Sequence, residues 1–211
     1  PIRVSIGQFY GIEINDFAVT VAKTALWIAE SQMMKQTEEI VNMNLDFLPL
    51  KSYANIVEAN ALLLDWESVV PKDKLNYIMG NPPFVGAMWS KGSQREDIAT
   101  VFPECAKPGQ IDYVAGWYAK ASKLIVNTNI RCAFVSTNSI CQGQQVGLIW
   151  KPLIEIFQIK FDFAYHTFRW DSEASIKAHV HCIIIGFSHK NVATEKRIYS
   201  ASRSSIVDHI N

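Results

Sequence analysis

Leu75-Asn76-Tyr77-Ile78-Met79-Gly80, followed directly by Asn81-Pro82-Pro83-Phe84, is the stretch of this 211-residue chain that best predicts its fold. The first part has the apolar pattern of a short buried strand. Two consecutive prolines then make a stiff turn, because proline fixes its own φ near about −65° and restricts the residue before it. Asn-Pro and Pro-Pro are also ordinary turn formers, so these residues alone do not separate an active-site turn from a plain loop. The stretch predicts a strand whose carboxyl end presents Asn81 on a rigid turn.

Strand patterns recur along the chain. They are apolar runs bounded by turn-forming residues, and they cover residues 9–14, 56–59, 75–80, 132–137, 159–165 and 178–187. The last two have no helix between them, whereas helical patterns separate most of the others. Since parallel strands need a crossover connection, this order predicts an α/β fold with a mostly parallel sheet and an antiparallel C-terminal strand.

Three helices are predicted from apolar spacing and capping residues. One starts at Asn15 or Asp16 and carries a small-residue stripe to Met33, one is capped by Asp112 and runs to about Val126, and one covers residues 144–156 with a break or kink at Pro152. Three segments are predicted to lack regular structure: residues 34–55, the long and functional loop 85–110, and the loop around Phe168-Arg169-Trp170.

The composition is that of one globular α/β domain with a sizeable core, with 49% hydrophobic residues and 20 basic residues balancing 20 acidic ones. No apolar run is long enough to span a membrane and the start is not a signal peptide, so we expect a cytoplasmic protein without a membrane partner. Zero net charge argues against a long tract of phosphate contacts. Any contact with DNA is therefore expected to be local or made by other parts of the polypeptide.

No metal site or nucleophilic cysteine is predicted. The chain has four cysteines without a C-x-x-C pair, which we expect to be free thiols: Cys105, Cys132, Cys141 and Cys182. His179 and His181 alternate on one face of a predicted strand, but no third ligand is evident, so we interpret them as structural. Cys141 lies near a strand end without the His–Asp arrangement that would activate it.

The Asn-Pro-Pro-Phe turn resembles the catalytic motif of amino-directed DNA methyltransferases. Four segments occur in the order found in large restriction–modification methyltransferases of the MmeI type: residues 9–14, Asn60-Ala61-Leu62, Asn81-Pro82-Pro83-Phe84, and Phe168-Arg169-Trp170 with the following residues 171–174. The resemblance covers about residues 8–188. It implies a class I, Rossmann-like methyltransferase fold, S-adenosylmethionine as methyl donor, and double-stranded DNA with a flipped target base as substrate.

In this resemblance, the residues of the turn have defined roles. An exocyclic amine conjugated to a base ring is a poor nucleophile, and the Asn81 side-chain oxygen and the Pro82 carbonyl would accept its hydrogens and aim its lone pair. Pro83 stiffens the turn, and Phe84 would stack on the extruded base. Most of the rate gain would come from positioning the amine against the methyl group. Adenine N6 is the expected target, with cytosine N4 as the alternative; RNA or a glutamine side-chain amide is also compatible.

The resemblance also implies the cofactor contacts. Glu13 would bind the ribose of S-adenosylmethionine and Ile14 would pack beside its adenine, as acidic residues after the first strand do in nucleotide-binding folds. Asn60 and Ala61 would contact the adenine, where related enzymes often carry aspartate, and Asp65 is the alternative to Asn60. Glu13 could instead simply favour the start of the helix through its dipole.

DNA contacts are expected from two segments. Phe168 or Trp170 could sandwich the flipped base against Phe84, or could pack under a hairpin. Lys91 and Arg95, in the loop after the turn, are placed to contact the DNA backbone, or could form a solvated loop. Arg169 and His166 could also touch phosphate.

The Gly-rich cofactor loop that this family has before Phe9 is not recognisable, since the glycines around this position are only Gly7, before Phe9, and Gly11, after it. We therefore expect an N-terminally truncated fold, with residues 1–190 a partial catalytic domain and residues 191–211 an extension toward a target-recognition region. Other domains of the same polypeptide, including a nuclease, could complete it. The isolated chain is expected to bind S-adenosylmethionine poorly and to methylate little. The alternative function is a degenerate methyltransferase-like domain that binds DNA or a partner chain.

Overall fold

The computed structural model describes residues 3–43, 55–170, 180–189, 195–201, 203–207 and 210. They divide into two units, Pro1–Pro71 and Lys72–Asn211, and each unit has its own sheet. Among these residues, no helix combines the length and the hydrophobicity needed to cross a membrane.

The first unit pairs two parallel strands with one long helix. Strand β1 spans Tyr10–Glu13, helix α1 spans Asp16–Val41 and strand β2 spans Asn55–Glu58. The predicted cap at Asn15 is confirmed, because its side-chain oxygen accepts a hydrogen bond from Ala18 N at 3.0 Å.

Helix α1 continues well past its apolar stripe, so the prediction of irregular structure from residue 34 is wrong up to Val41. Residues 34–41 include lysine, glutamine and glutamate, which have good helix propensity although they mark no apolar face. The helix ends at Val41 and is followed by Asn42, whose left-handed φ of 50° suits the position after a helix. Residues 44–54, the rest of the predicted irregular segment except Asn55, lie outside the described residues.

The second unit is built on a mixed sheet with the order β3-β4-β6-β5-β7-β8 across the described residues. These strands are β3 at Tyr77–Gly80, β4 at Arg131–Thr137, β5 at Ile159–Trp170, β6 at Val180–His189, β7 at Lys196–Tyr199 and β8 at Ser204–Val207. β3 pairs with β4 in parallel, and β6 runs antiparallel to both β4 and β5. The predicted antiparallel strand is therefore confirmed.

Helix α2, Gly92–Val101, lies inside the segment that we predicted to be a long loop, so that prediction is wrong for these residues. The helix begins where Lys91 N donates to the side-chain oxygen of Gln94 at 2.9 Å. Ile98 and, just after the helix, Phe102 anchor it in the core. Few other apolar residues lie in this stretch, so its sequence has little helical periodicity.

Helices α3, Ala115–Leu124, and α4, Gln144–Glu155, depart from prediction at one point each. Asp112 does not cap α3, whose N-cap is Val114 without a side-chain hydrogen bond. Helix α4 continues through Pro152 to Glu155, so the predicted break is wrong, whereas a kink at Pro152 stays a prediction. Packing outweighs the backbone hydrogen bond lost at the proline, since Ile149 and Leu153 on either side of it are fully buried.

The predicted loop at Phe168-Arg169-Trp170 is part of β5, so that prediction is also wrong. Phe168 pairs with Cys182 and Trp170 pairs with Val180. The register shifts between Tyr165 and Phe168, and this irregularity interrupts the alternation from which the strand was predicted. Residues 171–174 and the start of the predicted last strand, residues 178–179, lie outside the described part.

The core of the second unit is centred on Tyr118 of α3, whose side chain is fully buried. Its ring contacts Phe134 of β4, Trp150 of α4 and Phe187 of β6, with centroid distances of 5.2, 5.1 and 5.5 Å. Its hydroxyl lies 2.7 Å from Ser136 Oγ. This cluster fixes α3 and α4 against the middle of the sheet, and with them the carboxyl end of β4.

Candidate active site

Asn81 follows directly on Gly80, the last residue of β3, as the sequence predicts. The predicted burial of this strand is wrong, because β3 is the edge strand of the described sheet, with Tyr77 and Met79 65% and 77% exposed. Its side chain is exposed and makes no hydrogen bond to any described residue. Pro82 is buried and holds the turn in the protein, whereas Phe84 is half-buried and keeps part of its ring accessible. The Pro83 carbonyl accepts a hydrogen bond from Val85 N at 3.1 Å. The turn therefore presents an exposed amide and, three residues later, a partly accessible aromatic ring.

Strands β3, β4 and β5 run in the same direction, because β6 is antiparallel to both β4 and β5. Their carboxyl ends consequently lie at one edge of the sheet. Thr137, the last residue of β4, and Phe168 of β5 both pair with Cys182, so they lie at the same level. The fold thus brings Phe168 and Trp170 to the edge where Asn81 lies.

The two aromatic residues of β5 differ in accessibility. The Phe168 ring lies between Tyr165 and Trp170, with centroid distances of 5.6 and 6.2 Å. The Trp170 side chain is 39% exposed and is therefore the more accessible of the two rings. Three strand spacings, roughly 14 Å, separate the backbones of β3 and β5, which two aromatic side chains with a base between them can span.

Asp112 is buried, at 4% exposure, and its carboxylate accepts several hydrogen bonds. The donors are Ala87 N at 2.9 Å, Gln145 Nε2 at 3.1 Å, Thr137 Oγ1 at 3.1 Å and Ser139 Oγ. The sequence predicts only a helix cap at Asp112. The signal in the sequence was a carboxylate within the apolar run Ile111-Asp112-Tyr113-Val114-Ala115, because such a residue is buried only if partners satisfy it.

Lys91 and Arg95 lie one turn apart at the start of α2, and both are exposed. A spacing of four residues places them on the same side of the helix. The first turn of α2 has no acidic residue. Two cations near the positive end of a helix dipole are unfavourable by themselves, so an anion bound there would be stabilised by both features.

The short 3₁₀ turn Ala87–Trp89, between the Asn-Pro-Pro-Phe turn and α2, carries two exposed apolar side chains. Met88 and Trp89 are 84% and 79% exposed. Neither was singled out from the sequence, where the only signal was two large apolar residues in a polar segment. They extend the accessible apolar surface beyond Phe84 along the chain.

In the first unit, Glu13 and Asn60 lie at the carboxyl edge of the parallel pair. Glu13 is the last residue of β1, and its carbonyl accepts a hydrogen bond from Ala59 N at 2.9 Å, just before Asn60. Glu13 Oε1 accepts hydrogen bonds from Ile14 N at 2.9 Å and Asn15 N at 3.2 Å. The carboxylate therefore stabilises the start of α1, and Oε2 makes no hydrogen bond to any described residue.

The residues after β2 form a tight turn. The Asn60 side-chain oxygen accepts a hydrogen bond from Leu62 N at 2.9 Å, and the Ala61 carbonyl accepts one from Trp66 Nε1 at 2.7 Å. Asp65, the alternative to Asn60, accepts from Glu67 N at 3.0 Å and caps a short 3₁₀ turn. Ile14, which directly follows β1, is 69% exposed and is therefore an accessible apolar residue at this edge.

The four cysteines are all among the described residues. The four thiols are free, as predicted, and burial raises the pKa of Cys105, Cys132 and Cys182. Partial desolvation raises the pKa of the exposed Cys141 to about 11, so its thiol is protonated at neutral pH. The described residues contain no group of three metal-binding side chains, and His179 lies outside them.

The chain belongs to a family of DNA methyltransferases. Residues 1–200 match the family model described as "MmeI, DNA-methyltransferase domain". The predicted resemblance to MmeI-type restriction–modification methyltransferases is therefore confirmed.

Among individual relatives, the type IIL restriction–modification enzyme MmeI, solved in complex with DNA, is 42% identical, with a TM-score of 0.93 over 100% of this chain and 29% of its own. DNA methyltransferase A of Bacillus subtilis (strain 168) is 36% identical over 99% of this chain and 24% of its own length. A type I restriction–modification methyltransferase subunit from Streptococcus thermophilus shares the fold at 16% identity, with a TM-score of 0.52 over 94% of this chain and 39% of its own. The chain thus spans less than a third of the first two relatives.

Proposed function

We propose that this chain is part of the catalytic domain of a DNA adenine-N6 methyltransferase from a restriction–modification or phage-defence system. The observation that carries the proposal is the exposed, unengaged Asn81 on the Asn-Pro-Pro-Phe turn at the end of β3. The likeness to methyltransferase structures supports a class I, Rossmann-like fold. Other domains of the same polypeptide would complete the enzyme, which would act on DNA in the cytoplasm.

The chemistry at the turn follows from its acceptors. The Asn81 side-chain oxygen and the Pro82 carbonyl accept the two hydrogens of the exocyclic amine and direct its lone pair toward the methyl carbon. S-adenosylmethionine, the proposed cofactor, would supply the methyl group to this nitrogen and would keep the electron pair of the broken bond on its sulfur, and the amine proton would pass to water. Because Pro82 is buried, the turn is fixed before the base arrives, and this positioning supplies most of the rate gain.

Residues of the first unit fit the proposed cofactor, S-adenosylmethionine, which supplies an activated methyl group. Oε2 of Glu13 makes no hydrogen bond within the part of the chain that the structure describes, so it can accept hydrogen bonds from ribose hydroxyls. The exposed Ile14 offers an apolar surface for the adenine ring. Asn60 and Ala61, in the turn after β2, would contact the adenine edge. Such a place at the carboxyl ends of parallel strands is where α/β folds bind nucleotides.

DNA binding is proposed at the sheet edge and at α2. Phe84 and Trp170 would enclose the flipped base, because base–aromatic stacking accepts any base face. Phe168 would support Trp170 through the ring contact at 6.2 Å. Lys91 and Arg95 would bind backbone phosphates at the start of α2, a local contact that the zero net charge of the chain allows.

We expect Trp170→Ala to lower kcat/KM for DNA about 10-fold or more, because stacking on one base is worth about 1–3 kcal/mol. Phe168→Ala should lower kcat/KM less and thermal stability more, since its ring is packed on both sides. Steady-state methylation assays and thermal unfolding of both variants test the assignment. The reverse order of effects would assign base stacking to Phe168.

The experiment that tests the proposed function uses the polypeptide that carries these residues, labelled S-adenosylmethionine and mixed genomic DNA. The DNA is hydrolysed and its nucleosides are separated. Labelled N6-methyladenine is the expected product. Labelled N4-methylcytosine would instead identify cytosine as the target base, since the same pair of acceptors suits its exocyclic amine. A folded, DNA-binding protein without transfer would instead identify a degenerate binding domain.

A further inference from the structure

Asp112 is joined to the loop that follows the Asn-Pro-Pro-Phe turn. We propose that it is a positioning residue for methyl transfer, which holds this loop, and through it Phe84 and Asn81, in the conformation that the reaction requires. The inference rests on the proposed function and assigns Asp112 no direct contact with the base or with the methyl donor.

The contacts of Asp112 reach several elements at the sheet edge. Its Oδ1 accepts hydrogen bonds from Ala87 N at 2.9 Å and from Gln145 Nε2 at 3.1 Å. Its Oδ2 accepts from Thr137 Oγ1 at 3.1 Å and from Ser139 Oγ. In addition, the backbone N–H of Asp112 donates a hydrogen bond to Gln145 Oε1 at 2.9 Å. One carboxylate thus connects the loop to the end of β4, the following 3₁₀ turn and the start of α4.

A second connection lies beside the first. Tyr113 N donates to the Val85 carbonyl at 2.9 Å, so residues 112 and 113 hold the loop on both sides of Gly86. The Tyr113 hydroxyl also donates to Asp97 Oδ2 of α2 at 2.6 Å. Asp112 and Tyr113 therefore hold both the segment directly after Phe84 and the helix that carries Arg95.

The burial of a charge here is not explained by stability alone. Asp112 is 4% exposed, and no cation pairs with it among the described residues. Removing a carboxylate from water is costly, and apolar replacements of buried charges are often neutral or stabilising. The hydrogen bond from Ala87 N to Asp112, however, requires this backbone N–H to point toward the carboxylate, and only one conformation of the loop allows that. We assign to Asp112 the role of selecting that loop conformation.

Three variants distinguish a positioning role of the Asp112 side chain from an effect of its negative charge. Asp112→Ala removes all the side-chain contacts. Asp112→Asn can keep them, since its oxygen can face Ala87 N and Gln145 while its NH₂ donates to the hydroxyls of Thr137 and Ser139. Ala87→Pro deletes the N–H from the loop side and leaves Asp112 in place. Proline suits the first position of a helical turn, and the extended Gly86, with φ −66° and ψ 153°, suits the residue before proline.

The assay is methyl transfer by the full polypeptide, with the Kd for duplex DNA measured in parallel. We expect Asp112→Ala to lower kcat about 10²-fold, as small misplacements of reacting groups do, with the Kd for DNA within about 3-fold of wild type. Asp112→Asn should restore most of the lost kcat. Ala87→Pro should lower kcat about 10-fold, because it removes one connection and leaves the Tyr113–Val85 bond.

Asp162→Ala is the matched control, since Asp162 is a buried carboxylate in the same sheet that accepts a hydrogen bond from Ser188 Oγ at 2.8 Å. It should lower the melting temperature while leaving kcat near wild type in folded protein. Wild-type kcat in folded Asp112→Ala, or a loss in Asp112→Asn as large as in Asp112→Ala, would overturn the positioning role. If Asp112→Ala does not fold, the kcat of Ala87→Pro decides. Absence of transfer by the wild type would instead contradict the proposed function.

Discussion

Replacement of Asn81 by alanine should reduce kcat for methyl transfer by about 10²–10³-fold or more, the loss that follows removal of one preorganised hydrogen-bonding group from an active site. The alanine variant has no side-chain acceptor for the amine hydrogens, so the lone pair of the base nitrogen stays delocalised in the ring. The exposed Asn81 side chain makes no hydrogen bond to the described residues. Its removal should therefore leave folding and DNA binding close to wild type.

Two further variants make the Asn81 experiment specific. Asn76→Ala is the matched control, because Asn76 is an exposed asparagine that precedes the same strand at its opposite end; its kcat should equal that of wild type. Asn81→Gln keeps the amide but displaces it by one methylene, so its kcat should also fall strongly. Single-turnover methylation at saturating DNA measures the chemical step. A wild-type rate in folded Asn81→Ala would exclude the proposed role of the turn.

Features that depend on neighbouring residues in the sequence were predictable. The strand before Asn81 and the cap at Asn15 are examples, because an apolar run and a side chain that bonds a backbone N–H three residues away are both local. The antiparallel pairing of β5 and β6 was predictable because no helix separates them.

Features that depend on tertiary contacts were not predictable. The sequence predicts a loop where helix α2 forms, because the stability of this helix comes from burying Ile98 and Phe102 rather than from an apolar stripe. The extension of β5 to Trp170 depends on pairing with β6 across a register shift. The partners of Asp112 are separated from it by 25 to 33 positions in the chain, so its role at the sheet edge is visible only once the strands are assembled.

Tyr118→Ala should have the largest effect on stability, lowering the free energy of opening of β4 and β6 by about 3–5 kcal/mol, the usual cost of replacing a buried aromatic ring by alanine. The fully buried ring contacts Phe134, Trp150 and Phe187, so its loss leaves a cavity between both helices and the sheet. Hydrogen exchange of amides in β4 and β6 measures this free energy directly. An unchanged exchange rate would show that the cluster does not hold the sheet edge.

The Tyr118 hydroxyl adds a pH dependence to the same core. Burial raises the pKa of Tyr118 above its ordinary value of 10.0, with the hydrogen bond to Ser136 a smaller, opposing influence. Only the unfolded state then ionises as the pH rises above about 10, so this contribution to stability is present below that pH and lost above it.

Tyr118→Phe should cost about 0.5–1.5 kcal/mol near neutral pH through the lost hydrogen bond, and the difference from wild type should shrink as the pH rises above about 10. Ser136→Ala is the matched comparison, because it removes the same 2.7 Å contact and keeps the phenol. It should show a similar loss at neutral pH and retain the alkaline decline. A difference between Tyr118→Phe and wild type that stays constant from about pH 8 to about pH 11 would show that the phenol does not titrate on unfolding.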